Sequence, residues 1–340
     1  MNLKTNYLGL ELPHPFIIGA SPLGSTLDRV RRAEDAGAAA ITVHSLFEEQ
    51  IQHHENGLHV HVHTYEESFS EARTYFPQTV VGDHYGPEEY LEHLRNAKEA
   101  VDIPIIGSLN GTHLGSWTQY ATLFSEIGVD AMELNLYYQP NTDEETATEI
   151  EKRFTTIVSH VRSAVEIPIA VKLSPFFSSL PNFVRQLEKA GANGVVLFNR
   201  FYQPDIDLDE LETKPTLKLS DSNELLLRLR WLAILFGRYD WLSLACTGGV
   251  HTRDDALKAI MAGADCIQLV SVLLQHGVER IRPLLEGITD WMEENEYESL
   301  EQMKGSMSYH NSPNPEAIER ANYLQILKSW EPNGKVVIDT

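Results

Sequence analysis

Gly248 and Gly249 stand side by side in the run WLSLACTGGVHTRDDALKAIMAGADCIQLVSVLL, between an apolar strand and a helix. Glycine has no side chain, so an anion can approach backbone N–H groups at such a turn, and the following helix adds the positive end of its dipole. That chemistry suits a phosphate. Ser271, just past the second apolar strand of the run, adds a hydroxyl nearby.

Lys172 sits in the apolar context IAVKLSPF. Burying an unpaired ammonium is costly, so this side chain should face a cavity mouth. There it would serve as an anion partner, a flavin-ring contact or a Schiff-base amine. The plainer alternative is a lysine snorkelling to a rim. Asn135 and Asn199 each end an apolar run and offer donor and acceptor together, which suits a planar heterocycle. Asparagine also caps loops, so each alone has a plain reading.

Two other groups point to less. His59, His61 and His63 alternate in HHENGLHVHVHT, and a strand would put them on one face. Three imidazoles can hold a divalent metal. No carboxylate shares that face within the run, so an exposed strand face is expected and no metal is assigned. The two cysteines, Cys246 and Cys266, lie in apolar runs and are not closely spaced. They read as small buried hydrophobes in a reducing compartment, which leaves this chain no cysteine-rich iron–sulfur site.

These residues need a scaffold. EDAGAAAITVH, SEIGVDAMELN, EKAGANGVVLF and MAGADCIQLV each close a helix with glycine and open an apolar strand. DIPIIGSL and EIPIAVKL open strands with proline, whose missing donor does little harm there. Strands are expected over 16–20, 39–44, 105–109, 131–136, 169–173, 194–199, 242–247 and 266–270. Helices are expected between them, for example over 88–100, 144–164, 223–236 and 254–262. Strands without strict alternation, separated by helices, imply a parallel sheet covered on both faces. Eight of them in this order favour a closed (β/α)₈ TIM barrel. Chemistry on such a barrel sits at strand C-termini, and the loops after the last two strands are the usual phosphate site. The connections 45–86 and 200–221 are long, and loops of that length are functional or carry small strands of their own. The acidic runs DEETATEIEKR and DLDELE read as solvated helix faces or loops. The barrel is expected to span 1–308, with 309–340 as a linker, a short helix and a tail packed on or beside it.

The 340 residues carry 27 Lys and Arg against 49 Asp and Glu, a net charge of −22. With no basic patch to release counterions, nucleic acid and anionic membranes are not expected partners. Hydrophobic residues make up 42% and charged residues 22%, as in ordinary globular proteins. No window has membrane-spanning length, and a cytoplasmic protein is expected.

At this point NYLGLELPHPFIIGAS, MELNLYYQPN, VKLSPFF and TGGVHTRDDALKAIMAGADCIQLVSVLL carry a likeness over nearly the whole chain. The sequence resembles the dihydroorotate dehydrogenases, especially the soluble class 1 flavoproteins. The closing GSMS and ERANYLQIL resemble a dihydroorotate dehydrogenase-like subset. The resemblance implies an FMN-dependent enzyme of pyrimidine metabolism acting on CH–CH bonds, and a homodimer. FMN would lie at the strand C-termini. Gly248, Gly249 and Ser271 would hold its phosphate, while Ala20 and Ser21 would line the ring. Ser45 and Asn110 would add further cofactor contacts. Lys172 would lie near the N1–C2 region of the ring, where a cation tunes a flavin. Asn135 and Asn199 would meet the substrate or the flavin ring, and Arg200 would meet the substrate.

The sequence also departs from the family. Where the family reads E-L-N-L-S-C-P-N, this chain reads Glu133-Leu134-Asn135-Leu136-Tyr137-Tyr138-Gln139-Pro140-Asn141. Tyr138 matches the class 1 catalytic cysteine, which is a serine in class 2. A tyrosine of pKa about 10 is a poor base at neutral pH unless a cation depresses it. His44 replaces the lysine that usually ends strand two. Paired glycines are missing around Leu219-Ser220-Asp221-Ser222, and the orotate loop motif is missing from 75–86. FMN binding is therefore expected to survive better than dihydroorotate oxidation. The expected reaction is hydride transfer between flavin N5 and a small cyclic, pyrimidine-like or activated-alkene substrate, with Tyr138 or His44 as acid or base. Alternatives are a genuine dihydroorotate dehydrogenase using Tyr138, a Schiff-base lyase using Lys172, and a flavin-binding protein that serves a redox partner.

Overall fold

The computed structural model describes residues 1–48, 50, 86–111, 117–200, 204–214 and 218–328. The first strands, β1 (Thr5–Tyr7) and β2 (Leu10–Leu12), form an antiparallel hairpin. The barrel strands begin with β3 (Phe16–Ile18) and β4 (Ile41–Thr42), and a two-residue strand β5 (Leu46–Phe47) follows. Next come β6 (Ile105–Gly111), β7 (Ala131–Leu136), β8 (Ile169–Leu173) and β9 (Gly194–Leu197). A second hairpin, β10 (Asp205–Asp207) with β11 (Glu212–Lys214), interrupts the series before β12 (Ser243–Thr247) and β13 (Cys266–Leu269).

Hydrogen-bonded neighbours run β3–β4–β6–β7–β8–β9–β12–β13 and return to β3, every pair parallel. All eight expected strands are present, and the sheet closes into a (β/α)₈ barrel. The long connections carry β5 and the β10–β11 hairpin, as loops of that length suggest.

The described helices are α1 (Leu27–Asp35), α2 (Pro87–Ala100), α3 (Trp117–Ile127), α4 (Ala147–Ala164), α5 (Leu180–Lys189), α6 (Leu225–Leu235) and α7 (Arg253–Ala262). Beyond β13 lie α8 (Ser271–His276), α9 (Ile281–Glu294), α10 (Leu300–Met303) and α11 (Pro315–Lys328). Amphipathic spacing aims each helix at the sheet. In α4, Phe154, Ile157, Val158 and Val161 are buried at positions i, i+3, i+4 and i+7. Burial of one such side chain contributes about 1.5–3 kcal/mol. This helix starts three residues later than its acidic run suggests. Thr146 and Glu149 form a capping box, which fixes the first turn and leaves 142–145 as loop.

Period-two alternation divides the barrel interior into layers. Ile17, Ile106, Ala131, Ala170, Val196, Ala245 and Cys266 pack together with Tyr7, Leu8 and Leu12 of the hairpin, apart from the helix-facing core. The hairpin bonds to strand beginnings: the Leu8 N–H donates to Ser243 Oγ at 3.0 Å, and Thr5 Oγ1 to the Asp265 carbonyl at 2.7 Å. It therefore covers the N-terminal end of the barrel. Two residues further along the strands, Ser108, Glu133, Lys172, Thr247 and Gln268 form a buried polar layer toward the opposite end.

Past the barrel, the Gly305, Met307 and Tyr309 N–H groups donate to carbonyls of Ile260, Met261 and Ala233, which ties the chain to α6 and α7. No described helix is long and apolar enough to cross a membrane.

Candidate active site

The polar layer centres on a ring of hydrogen bonds. Lys172 Nζ donates to Glu133 Oε1 at 3.1 Å and to Gln268 Oε1 at 3.2 Å. Gln268 Nε2 donates to Glu133 Oε2 at 2.5 Å. Lys172 is 6% exposed, Gln268 1% and Glu133 0%, so the ammonium is buried but paired. Burial of an ion pair is tolerated when geometry is good and remaining polar atoms are satisfied. An ammonium has three N–H donors and two are used here, with no third acceptor bonded among the described residues. Sequence reading picked out Lys172 and missed Glu133 and Gln268. The available signal was spacing, since Glu133 lies two residues before Asn135 on the same strand face.

One step nearer the C-terminal end, Asn199 Nδ2 donates to Asn135 Oδ1 at 3.0 Å. Asn135 lies beside Lys172 and Asn110 in the strand register. Both asparagines face the same space, and each keeps amide capacity beyond this one bond. Asn110 is half-buried at the end of β6.

The glycine turn is built as its sequence suggests. Gly248 and Gly249 have φ of +81° and +84°, a region that favours glycine. A Cβ on Gly249 would lie 2.4 Å from the Leu225 nitrogen at the start of α6. The Gly249 N–H donates to Ser220 Oγ at 3.1 Å, and the Ser220 hydroxyl lies 2.9 Å from Ser271 Oγ. Ser271 Oγ also accepts the Ser220 N–H at 3.1 Å. Ser220 thus occupies, with its own hydroxyl and N–H, the place where paired glycines were expected. Asp255 anchors the start of α7 by accepting from Ser222 Oγ and from the His251 and Thr252 N–H groups. Burial alone would raise its carboxyl, but those hydrogen bonds hold it below its ordinary value.

Arginines border this turn. Buried Arg228 donates through Nε to the Thr247 carbonyl at 3.0 Å and through Nη1 to the Glu224 carbonyl at 2.7 Å. Arg200 pairs with Glu224 at 3.0 Å rather than with either asparagine.

At the end of β4, the His44 ring meets Tyr90 edge-on at 5.1 Å and His93 at 5.8 Å. The Tyr90 hydroxyl donates to the His44 carbonyl at 2.7 Å, and burial pushes that hydroxyl well above its ordinary pKa. Ser45 Oγ lies 2.8 Å from Ser108 Oγ. Ala20 is half-buried beyond β3, and Ser21 Oγ caps the next turn by accepting the Leu23 N–H at 3.4 Å.

Tyr138 belongs to a separate group. Its hydroxyl donates to Glu145 Oε2, and Arg153 of α4 binds Glu145 Oε1. The Arg153 guanidinium lies 4.8 Å from the centre of the Tyr138 ring. Hydrogen bonds from Tyr138 and then from Arg153 hold the Glu145 carboxyl below its ordinary value. Part of the acidic run is therefore engaged rather than simply solvated. No hydrogen bond among the described residues joins Tyr138 to Lys172 or Asn135. His59, His61 and His63 and positions 75–85 lie outside the described residues.

Residues 80–292 match the family model described as dihydroorotate dehydrogenase. The chain belongs to the dihydroorotate dehydrogenase family. Among its relatives is the dihydroorotate dehydrogenase B (NAD(+)) catalytic subunit of Pyrococcus abyssi, 27% identical over 313 residues that cover 89% of this chain and 98% of that protein. The corresponding subunit of Methanocaldococcus jannaschii is 24% identical over 310 residues, 89% of this chain and 97% of that one. The NAD-dependent dihydropyrimidine dehydrogenase subunit PreA of Escherichia coli K12 is 21% identical over 320 residues, 89% of this chain and 76% of that one. Family membership sets the Schiff-base lyase aside and makes the protein an oxidoreductase acting on CH–CH bonds.

Proposed function

We propose that this dihydroorotate dehydrogenase family member binds FMN and oxidises or reduces a CH–CH bond in a small cyclic, pyrimidine-like substrate. The observation that carries the reading is the buried Lys172, with one donor left over, on the same barrel end as the Gly248–Gly249 turn.

The residues present suit the cofactor. Gly248, Gly249 and Ser271, joined by Ser220, would hold the phosphate, because the turn gathers N–H and hydroxyl groups in one place. Ala20, Ser21, Ser45 and Asn110 would border the ring, and Lys172 would donate to its N1–C2 side. Bound FMN would supply a hydride acceptor or donor at N5. Asn135 and Asn199, already bonded to each other, would orient the substrate's amide or imide edge, with Arg200 at the periphery. Tyr138 or His44 would hold the proton that accompanies hydride transfer. Glu145 and Arg153 fix the Tyr138 hydroxyl, and general acid–base help of this kind is worth about 10²–10⁴-fold.

Relatives named as catalytic subunit or as subunit PreA support a second protein as electron partner, and two cysteines are too few for a four-thiolate cluster on this chain. A homodimer and a barrel of 1–308 with a 309–340 extension packed on or beside it belong to the same proposal. Dihydroorotate is the less favoured substrate, because Tyr138 replaces the family's cysteine or serine. The test is to release and identify the chromophore, then screen anaerobic flavin reduction against dihydropyrimidines, cyclic amides, cyclic imides and enones. FMN in the protein, reduced by one of these, is expected. A colourless protein that takes up no FMN would overturn the reading.

A further inference from the structure

We infer that Glu133 and Gln268 govern how Lys172 acts on the cofactor, so that the lysine presents a fixed hydrogen-bond donor rather than an uncompensated positive charge. The inference rests on the FMN reading of the site. Glu133 is on β7, Lys172 on β8 and Gln268 on β13, so the group spans the barrel from one wall to the other. Each carboxylate oxygen of Glu133 has a donor, Lys172 on one and Gln268 on the other. Both ends of the Gln268 amide are used, one toward Glu133 and one toward Lys172. The three side chains therefore fix one another's rotamers, and their formal charges sum to zero.

A carboxylate 3.1 Å from the ammonium, with both groups buried, cancels most of the field that Lys172 would otherwise project along the barrel axis. Among the described residues, the ammonium still has one donor to give. Electron density gained by a flavin ring is stabilised by nearby positive charge. In this chain that stabilisation should be the smaller one provided by a compensated donor. Glu133 and Gln268 are accordingly positioning residues that act through Lys172.

The test is the midpoint potential of the FMN-loaded protein, read by dithionite titration against a reference dye. Glu133→Gln removes the compensating charge and should favour the reduced flavin at least tenfold, about 30 mV upward for a two-electron couple. Glu133→Asp draws the carboxylate back from the ammonium and should shift the potential upward by less. The double variant Glu133→Gln, Lys172→Met removes both charges and should lie nearer wild type than Glu133→Gln alone. If Glu133→Gln does not fold, Glu133→Asp carries the test. Glu133→Gln at or below the wild-type potential with FMN bound would overturn the inference, as would Glu133→Asp at or below it. A wild-type protein that takes up no FMN would defeat the cofactor reading on which the inference rests.

Discussion

Two groups with nearly the same chemistry flank β7 and its loop. Inside the barrel, Glu133 is held by Lys172 and Gln268. Outside it, Glu145 is held by Tyr138 and Arg153. Each is a carboxylate with a cation on one oxygen and a neutral donor on the other. The inner side chains are almost wholly buried, whereas those of Arg153 and Glu145 are 31% and 22% exposed. Burial makes the inner group a fixed electrostatic unit that cannot lose a member cheaply. Solvent access makes the outer one adjustable, and it includes the Tyr138 hydroxyl proposed as acid or base. The two groups thus have different physical constraints: packing holds the first, while the second is partly open to solvent.

Truncation separates the two groups most sharply. Glu133→Ala leaves a buried ammonium without its carboxylate, a loss of about 3–5 kcal/mol for a broken buried pair. Glu145→Ala should lower the denaturant midpoint much less, because its group is partly exposed to solvent. Equal midpoints for the two variants in urea unfolding would erase the distinction.

Catalysis should divide the other way. Tyr138→Phe should keep FMN content and lower the flavin reduction rate by about 10²–10⁴-fold, as loss of a general acid or base does. An unchanged rate would transfer that role to His44. Gly249→Ala acts on the proposed phosphate turn instead. Its Cβ would meet the α6 backbone at 2.4 Å in a positive-φ conformation, so FMN affinity should fall at least tenfold by fluorescence titration.

Acidification should reach the outer group through Glu145. The Glu145 carboxyl is depressed chiefly by the Tyr138 hydrogen bond and then by Arg153. A carboxylate with a lowered folded pKa stabilises the fold above its unfolded value, near 4.5, and loses that contribution as pH falls through the lower folded value. Stability measured between pH 6 and 3 should therefore fall less in Glu145→Gln than in wild type. The smallest expected effect concerns the cysteines. Burial pushes Cys246 up to about 12 and Cys266 well above its ordinary value, so neither should react with thiol reagents at pH 8 in the folded protein. Mass spectrometry after alkylation checks this.

Much of the scaffold was legible because it follows local rules. Helix-ending glycines, apolar runs and proline openings marked all eight strands, and strand-end position marked Lys172, Asn135 and the glycine turn. The unread parts are relations across space. Gln268 is a neutral residue in an apolar strand, and nothing in its neighbourhood says that it reaches Glu133 135 positions away. Ser220 reads as loop until the fold brings it to Gly249 and Ser271. Glu145 reads as one acid among several, because the capping box that starts α4 at Ala147 leaves it free to meet Tyr138.

The most direct measurement is anaerobic mixing of the FMN-loaded protein with dihydroorotate, followed by flavin absorbance. The proposed FMN site, with Tyr138 as its acid or base, predicts bound FMN that bleaches slowly or not at all. Prompt stoichiometric bleaching would contradict it and make Tyr138 a working substitute for the family's base.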